Sequence, residues 1–235
     1  MLENFALNSI LFLDIETVPQ YPVYSDVPES FRDLWAKKAA QLKHDGESPE
    51  ELYHRAGIYA EFGKIICISC GMFTNEGKFR IKTFHGHDEY EVLSMFADLC
   101  EKSFSRPERY LCAHNGKEFD FPYLSRRMLI NGIRLPRILD TAGKKPWEVS
   151  HLDTLELWKF GDYKSFTSLN LLAGVFGIPT PKDDIDGSKV WEVYWVEKNL
   201  PRIVTYCQKD TLTVAQLFLR FRGEPILSPD QIEVV

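Results

Sequence analysis

The chain has 235 residues, 44% of them hydrophobic and 13% aromatic, with a formal net charge of −6. That length can build one substantial core, while the acidic balance excludes a broad, sequence-independent grip on duplex nucleic acid, which needs many Lys and Arg against phosphates. No apolar run approaches the roughly 20 residues that span a bilayer, and Met1-Leu2-Glu3-Asn4 lacks the basic start of a secretory signal, so the expectation is a soluble cytoplasmic protein with no membrane partner.

Ser9 to Asp14 reads as a buried strand ending in a carboxylate. After Pro19 comes a polar, helix-compatible insertion over 21–60, with Ser30 as candidate cap and a break near Asp45-Gly46. Ile65–Phe73 and Lys78–Phe84 read as two strands joined by a turn at Thr74-Asn75-Glu76-Gly77. Glu89–Lys102 has the apolar spacing of an amphipathic helix. Arg109–Ala113 is a further short strand, followed by His114-Asn115-Gly116 and a helix from about Phe121 to Ile130. Helices are also expected at Ser168–Phe176, closed by Gly177, and at Leu200–Arg222, where Pro201 suits the first turn. The alternation, with no Gly/Ser linker, predicts a single α/β domain over 1–235.

Five cysteines leave an odd number. Cys67 and Cys70 form a C-x-x-C inside an apolar strand, and with no second closely spaced ligand pair they read as buried thiols rather than a zinc site. His85 and His87 read as surface histidines. Arg126 and Arg127 read as a solvated helix face, with phosphate contact as the alternative.

The chemistry lies in the acids. Asp14 and Glu16 are two apart on a strand, so their carboxylates share a face. Burying both needs compensation, and all-oxygen ligands favour hard cations such as Mg2+ or Mn2+. Asp120 falls near a helix start, where it would also favour the helix dipole. Tyr206 and Asp210 are one turn apart on the last long helix and share a face. Singly, each has a bland explanation as a strand end, a helix start or a solvated turn.

In this order, Asp14-x-Glu16, then Asn115-x-x-x-Phe119-Asp120, then Tyr206-x-x-x-Asp210 resemble the three exonuclease motifs of the DEDD superfamily. Tyr206 points to the tyrosine subclass (DEDDy), since the histidine subclass would need His where Thr205 stands. Phe119-Asp120-Phe121-Pro122-Tyr123-Leu124, His151-Leu152-Asp153-Thr154, Gly174-Val175-Phe176-Gly177-Ile178-Pro179 and Asp186-Gly187-Ser188-Lys189-Val190-Trp191 are similar to the predicted 3′-5′ exonucleases related to the proofreading domain of B-family DNA polymerases. The likeness runs from Leu11 to Arg222 and is least diagnostic over Tyr21–Ala60. No polymerase domain is recognised.

The resemblance implies a ribonuclease H-like fold, a central mixed β-sheet flanked by α-helices. It also implies hydrolysis from the 3′ end of single-stranded nucleic acid, DNA favoured over RNA, with two divalent ions, Mg2+ or Mn2+. Asp14 would bridge the ions, Glu16 and Asp210 would complete the site for the attacking water, and Asp120 would hold the second ion. Tyr206 would orient the water. Thr17 would meet the terminal 3′-OH, Phe119 the terminal nucleotides and Asn115 a sugar or phosphate, with a core role for Phe119 equally open.

Three alternatives remain at this stage. Leu13-Asp14-Ile15-Glu16-Thr17 partly resembles the start of haloacid-dehalogenase phosphatases, with Asp14 as nucleophile, although Glu16 replaces the second Asp. A non-catalytic module binding nucleic-acid ends would normally have lost one of the acids. An exoribonuclease would keep the chemistry and differ in contacts to the 2′ position.

Overall fold

A computed structural model describes residues 2–42, 46–162, 164, 166–179 and 185–235. Its strands are β1 (Ile10–Pro19), β2 (Gly63–Phe73), β3 (Phe79–His85), β4 (Tyr110–Ala113), β5 (Leu152–Asp153) and β6 (Ile232–Val234). They form one mixed sheet in the order β5-β4-β1-β2-β3-β6, in which only β2 runs against the others. The helices are α1 (Glu29–Gln41), α2 (Glu89–Ser103), α3 (Asp120–Ile130), α4 (Thr154–Lys159), α5 (Leu169–Val175), α6 (Val190–Trp195) and α7 (Leu200–Phe221). They flank the sheet in a ribonuclease H-like α/β arrangement.

β1 is apolar on both sides because both its faces are covered. Leu11, Leu13 and Ile15 pack with residues of α2 and α3. On the opposite face, Ile10 and Phe12 pack against Val214, Ala215 and Phe218 of α7. Val18 joins Ile203 and residues of α6 in a further cluster. Asp14 and Glu16 therefore interrupt an apolar face between two hydrophobic clusters, beneath the middle of α7.

The expected strand extends past Asp14 to Pro19, which keeps Asp14 and Glu16 in extended geometry. A β-bulge shifts the β1–β2 register between Glu16 and Thr17. The β2–β3 connection turns at Gly77, whose φ of +77° suits glycine, and α2 is capped by the Asp88 carboxylate.

Three expectations need correction. Ser30 does not cap α1: it lies inside the first turn, and the N-cap residue is Pro28. The second half of the insertion is a 3-10 segment, Glu51–Ile58, rather than a continuing α-helix, and Asp45 lies outside the described residues. The insertion has its own small core, in which Trp35 contacts Tyr53 and Phe62 and donates from Nε1 to the Pro49 carbonyl at 2.7 Å. Third, Arg127 is not solvated. It is 4% exposed, pairs with both Glu89 carboxylate oxygens through Nε and Nη2, and donates from Nη1 to the Ala60 carbonyl at 2.8 Å. Arg126 is exposed. The edge strands β5 and β6 and the short helices α4 and α6 did not stand out in the sequence, being too short to show a period.

All five cysteines are buried and free. His85 and His87 are exposed, and His87 Nδ1 is hydrogen-bonded to the Tyr194 hydroxyl at 2.9 Å.

Candidate active site

β1 and β4 pair in parallel only from Ile10 to Phe12. Beyond that point β4 ends and the chain turns through residues 114–119 into α3, opening a crevice at the C-terminal end of β1. Asp120 is the first residue of α3 and is buried there. Its carboxylate accepts hydrogen bonds from its own main-chain N–H and from that of Ile15. The third motif approaches from the other face of β1, where the Cys207 thiol donates to the Asp14 carbonyl at 3.3 Å. Asp14, Glu16, Asp120 and Asp210 thus lie near one another, close enough that the other three all raise the affinity of Glu16 for protons, and Asp210 and Asp120 that of Asp14.

The electrostatics are those of a buried anionic cluster. Burial, then repulsion from Asp210 and Asp120, holds the Asp14 carboxyl well above the usual range. Burial and the neighbouring Asp14 and Asp210 do the same to Glu16. Burial lifts Asp120 to about 7 despite its two main-chain donors. Burial also pushes the Tyr206 phenol up, followed by Asp210, Glu16 and Asp14, and its hydroxyl is hydrogen-bonded to Asp210. Tyr206 is therefore a hydrogen-bond donor rather than a proton acceptor.

Asp14 Oδ2 is buried and has no hydrogen-bond partner among the described residues. An orphaned carboxylate oxygen among other acids is costly unless a cation meets it, and the oxygen donor set suits a hard divalent ion. The Cys207 sulfur lies within 4.8 Å of donor atoms of Asp14 and Glu16. Burial and the neighbouring Cys67 raise its thiol well above the usual range, so it stays protonated and serves as a donor to Asp14.

A cleft of about 930 Å3 opens over Asp14, Glu16 and Asp210 and is lined also by Thr17, Phe119 and Tyr206, whereas Asp120 is buried and not among its lining residues. The Thr17 hydroxyl is hydrogen-bonded to that of Tyr123, and the Phe119 ring packs 5.3 Å from the Tyr123 ring. Asn115 is not among the lining residues. It occupies a left-handed turn at φ +62°, a conformation asparagine tolerates better than most residues.

Two features escaped the sequence reading. Asp153 ends β5 and is 2% exposed. Its carboxylate accepts from the main-chain N–H groups of Asn115 (2.9 Å), Lys117 (3.0 Å) and Leu155 (2.9 Å), so one side chain caps α4 and shapes the turn leading to Phe119 and Asp120. An Asp immediately before a helix is a capping signal, but its reach to the earlier turn has no local signature. The second is the insertion, whose 3-10 segment contributes His54, Arg55, Gly57 and Ile58 to the cleft wall, which Trp191 also lines.

No helix among the described residues is long and apolar enough to cross a membrane. Among proteins with curated descriptions, none matches the chain. Among solved structures, it is similar to the family B DNA polymerase from the hyperthermophilic archaeon Pyrobaculum calidifontis, with 20% identity and a TM-score of 0.52 over 89% of this chain. The likeness spans 24% of the polymerase chain and shows a shared fold. Residues 58–225 match a family of predicted 3′-5′ exonucleases related to the exonuclease domain of PolB. The match begins after β1, so it includes Asp120, Tyr206 and Asp210 but not Asp14 and Glu16. The chain belongs to this family of predicted 3′-5′ exonucleases.

Proposed function

We propose that the chain removes nucleotides from the 3′ end of single-stranded nucleic acid, DNA in preference to RNA, as a tyrosine-type DEDD exonuclease. Asp14, Glu16, Asp120 and Asp210 would hold two divalent cations, Mg2+ or Mn2+. The observation that carries this reading is the buried Asp14 Oδ2, which has no hydrogen-bond partner among the described residues and lies amid the other acids. When bound, such cations lower the pKa of water and offset charge on the leaving 3′ oxygen.

The side chains divide the remaining work. Tyr206, kept protonated by burial and by Asp210, would turn its single O–H from Asp210 to the attacking water and so orient it. Asp120 is held by the Ile15 N–H, which fixes its distance from Asp14. Thr17, tied to Tyr123, meets the terminal 3′-OH, and Phe119 packs on the terminal nucleotide. The carboxylates anchor cations without themselves attacking phosphorus, which separates this reading from a phosphatase with Asp14 as nucleophile.

The direct test uses 5′-labelled single-stranded DNA and RNA with Mg2+, Mn2+ or chelator. Metal-dependent shortening from the 3′ end, faster on DNA, is expected. No hydrolysis of either strand with any metal overturns the assignment, and faster shortening of RNA reverses the sugar preference.

A further inference from the structure

Residues 21–57 precede the span matched to the family, yet part of this segment walls the cleft. The His54 ring lies 5.9 Å from the Trp191 indole, so the insertion and α6 meet in an aromatic ledge at the cleft mouth. His54 is exposed, and its Nδ1 is engaged by the Glu51 carbonyl at 2.7 Å, which orients the ring.

The ledge is fixed relative to the acidic strand. A Cβ on Gly57 would lie 2.9 Å from the Val18 carbonyl carbon, so the segment rests directly on the end of β1. Tyr123 Oη donates to the Gly57 carbonyl at 2.6 Å and is also bonded to Thr17. One tyrosine therefore links the wall, α3 and the strand that carries the acids.

Charge gives the wall a second role. Asp14, Glu16, Glu47 and Asp210 line the cleft, and Arg55 is the only Lys or Arg among its described lining residues. Cations at the acids serve the scissile phosphate. The next phosphate along the strand meets the same negative field and needs a positive group of its own. A cleft of about 930 Å3 lies near the upper end of sites for small ligands, leaving room beyond one nucleotide.

We propose that His54, Trp191 and Arg55 form a subsite for the penultimate nucleotide of a single strand, its base on the His54–Trp191 ledge and its 5′ phosphate against Arg55. The proposal rests on the exonuclease reading and adds to it the path of the strand. A base paired to a second strand could not lie on this ledge, so the subsite also selects single-stranded ends.

The test compares wild type with His54→Ala, Trp191→Ala, Trp191→Phe and Arg55→Gln, each shown to melt as a folded protein. KM and kcat are measured on a single-stranded DNA oligonucleotide, with Kd from anisotropy of the labelled strand in Ca2+. Loss of stacking should raise KM and Kd roughly ten-fold or more in His54→Ala and Trp191→Ala, with kcat near wild type, and Trp191→Phe should recover most of the loss. Arg55→Gln should reduce the slope of log Kd against log salt by about 0.7, the value for one phosphate of a single strand. An active wild type with unchanged KM, Kd and salt slope in the variants overturns the subsite alone. A fall in kcat without weaker binding also overturns it. A wild type inactive with every metal overturns the exonuclease reading, and the subsite with it.

Discussion

The Cys207 thiol and the Asp14 carbonyl are joined by a hydrogen bond of 3.3 Å, which fixes the middle of α7 against the acid-bearing strand. Tyr206 precedes this thiol and Asp210 follows one helical turn after Tyr206, so the contact sets the height of both above Asp14. Cys207→Ser, which keeps a donor, should retain kcat close to wild type. Cys207→Leu overfills a fully buried position and should cost about 1–3 kcal/mol. Measured where circular dichroism shows the variant folded, its kcat should still fall steeply. Wild-type kcat in folded Cys207→Leu would show that the helix position is not critical.

Tyr206→Phe removes the donor and little volume. The expected outcome is a kcat lower by roughly ten- to a hundred-fold, the scale of a mispositioned reactant, with KM and melting temperature near those of wild type. An unchanged kcat excludes the water-orienting role.

Metal-free stability should depend on pH through Asp120. Its pKa is raised from 3.8 to about 7 by burial, so between those values the folded chain holds a proton that the unfolded chain has released. The unfolded state then binds fewer protons, and stability falls as pH rises through this window. His151 acts oppositely. Burial drives it from 6.5 to about 4, and the stability it confers is lost as pH falls between those values. Comparing Asp120→Asn with wild type in chelator cancels the histidine contribution. The melting-temperature advantage of the variant should grow from about pH 4 to about pH 7 and then level off, and Mn2+ should raise the wild-type melting temperature more than that of the variant. A pH-independent difference rejects the assignment.

Arg127 and Glu89 form a buried pair that also takes the Ile65 N–H at 2.7 Å and the Asn131 side-chain amide at 2.9 Å. Arg127→Ala strands the carboxylate and should cost roughly 3–5 kcal/mol. The double variant Glu89→Gln with Arg127→Met should recover part of that in chemical denaturation. Its oligonucleotide Kd should keep the wild-type salt slope, because Arg127 faces the core.

Asp153 should behave as a positioning residue. Asp153→Ala leaves several main-chain donors unmet and should lower stability by about 1–3 kcal/mol. It should also lower kcat through the turn that presents Asp120. Asp153→Asn, which keeps one acceptor oxygen, should be milder on both measures. Equal effects of the two substitutions on kcat would show that the acceptor geometry is irrelevant.

These residues also show what was legible from the sequence. Asp14 and Glu16 could be placed on one face because the strand period is strict, and Tyr206 with Asp210 because a helix repeats after one turn. Neither period reveals that β1 lies under α7, which depends on contacts nearly two hundred positions apart. Arg127 looked solvated beside Arg126 because its partner Glu89 belongs to another helix. Asn115 entered through the resemblance, and its left-handed turn and main-chain bond to the distant Asp153 could not be read from its neighbours in sequence. The wall of the cleft was hidden more deeply still, since His54 and Trp191 acquire meaning only when the insertion folds back onto β1.

The outer strands bear on how copies of the chain behave toward one another. β5 and β6 are two and three residues long, and Glu233 of β6 is paired with Lys78 and Arg80 at the start of β3. Beyond the β6 pairing, which covers Phe79–Ile81, β3 presents exposed Lys82 and His85. Brief, charged borders offer a poor template for extending the sheet with a neighbouring molecule. The protein can therefore keep a long apolar central strand, and the acids embedded in it, without that strand becoming a seed for aggregation.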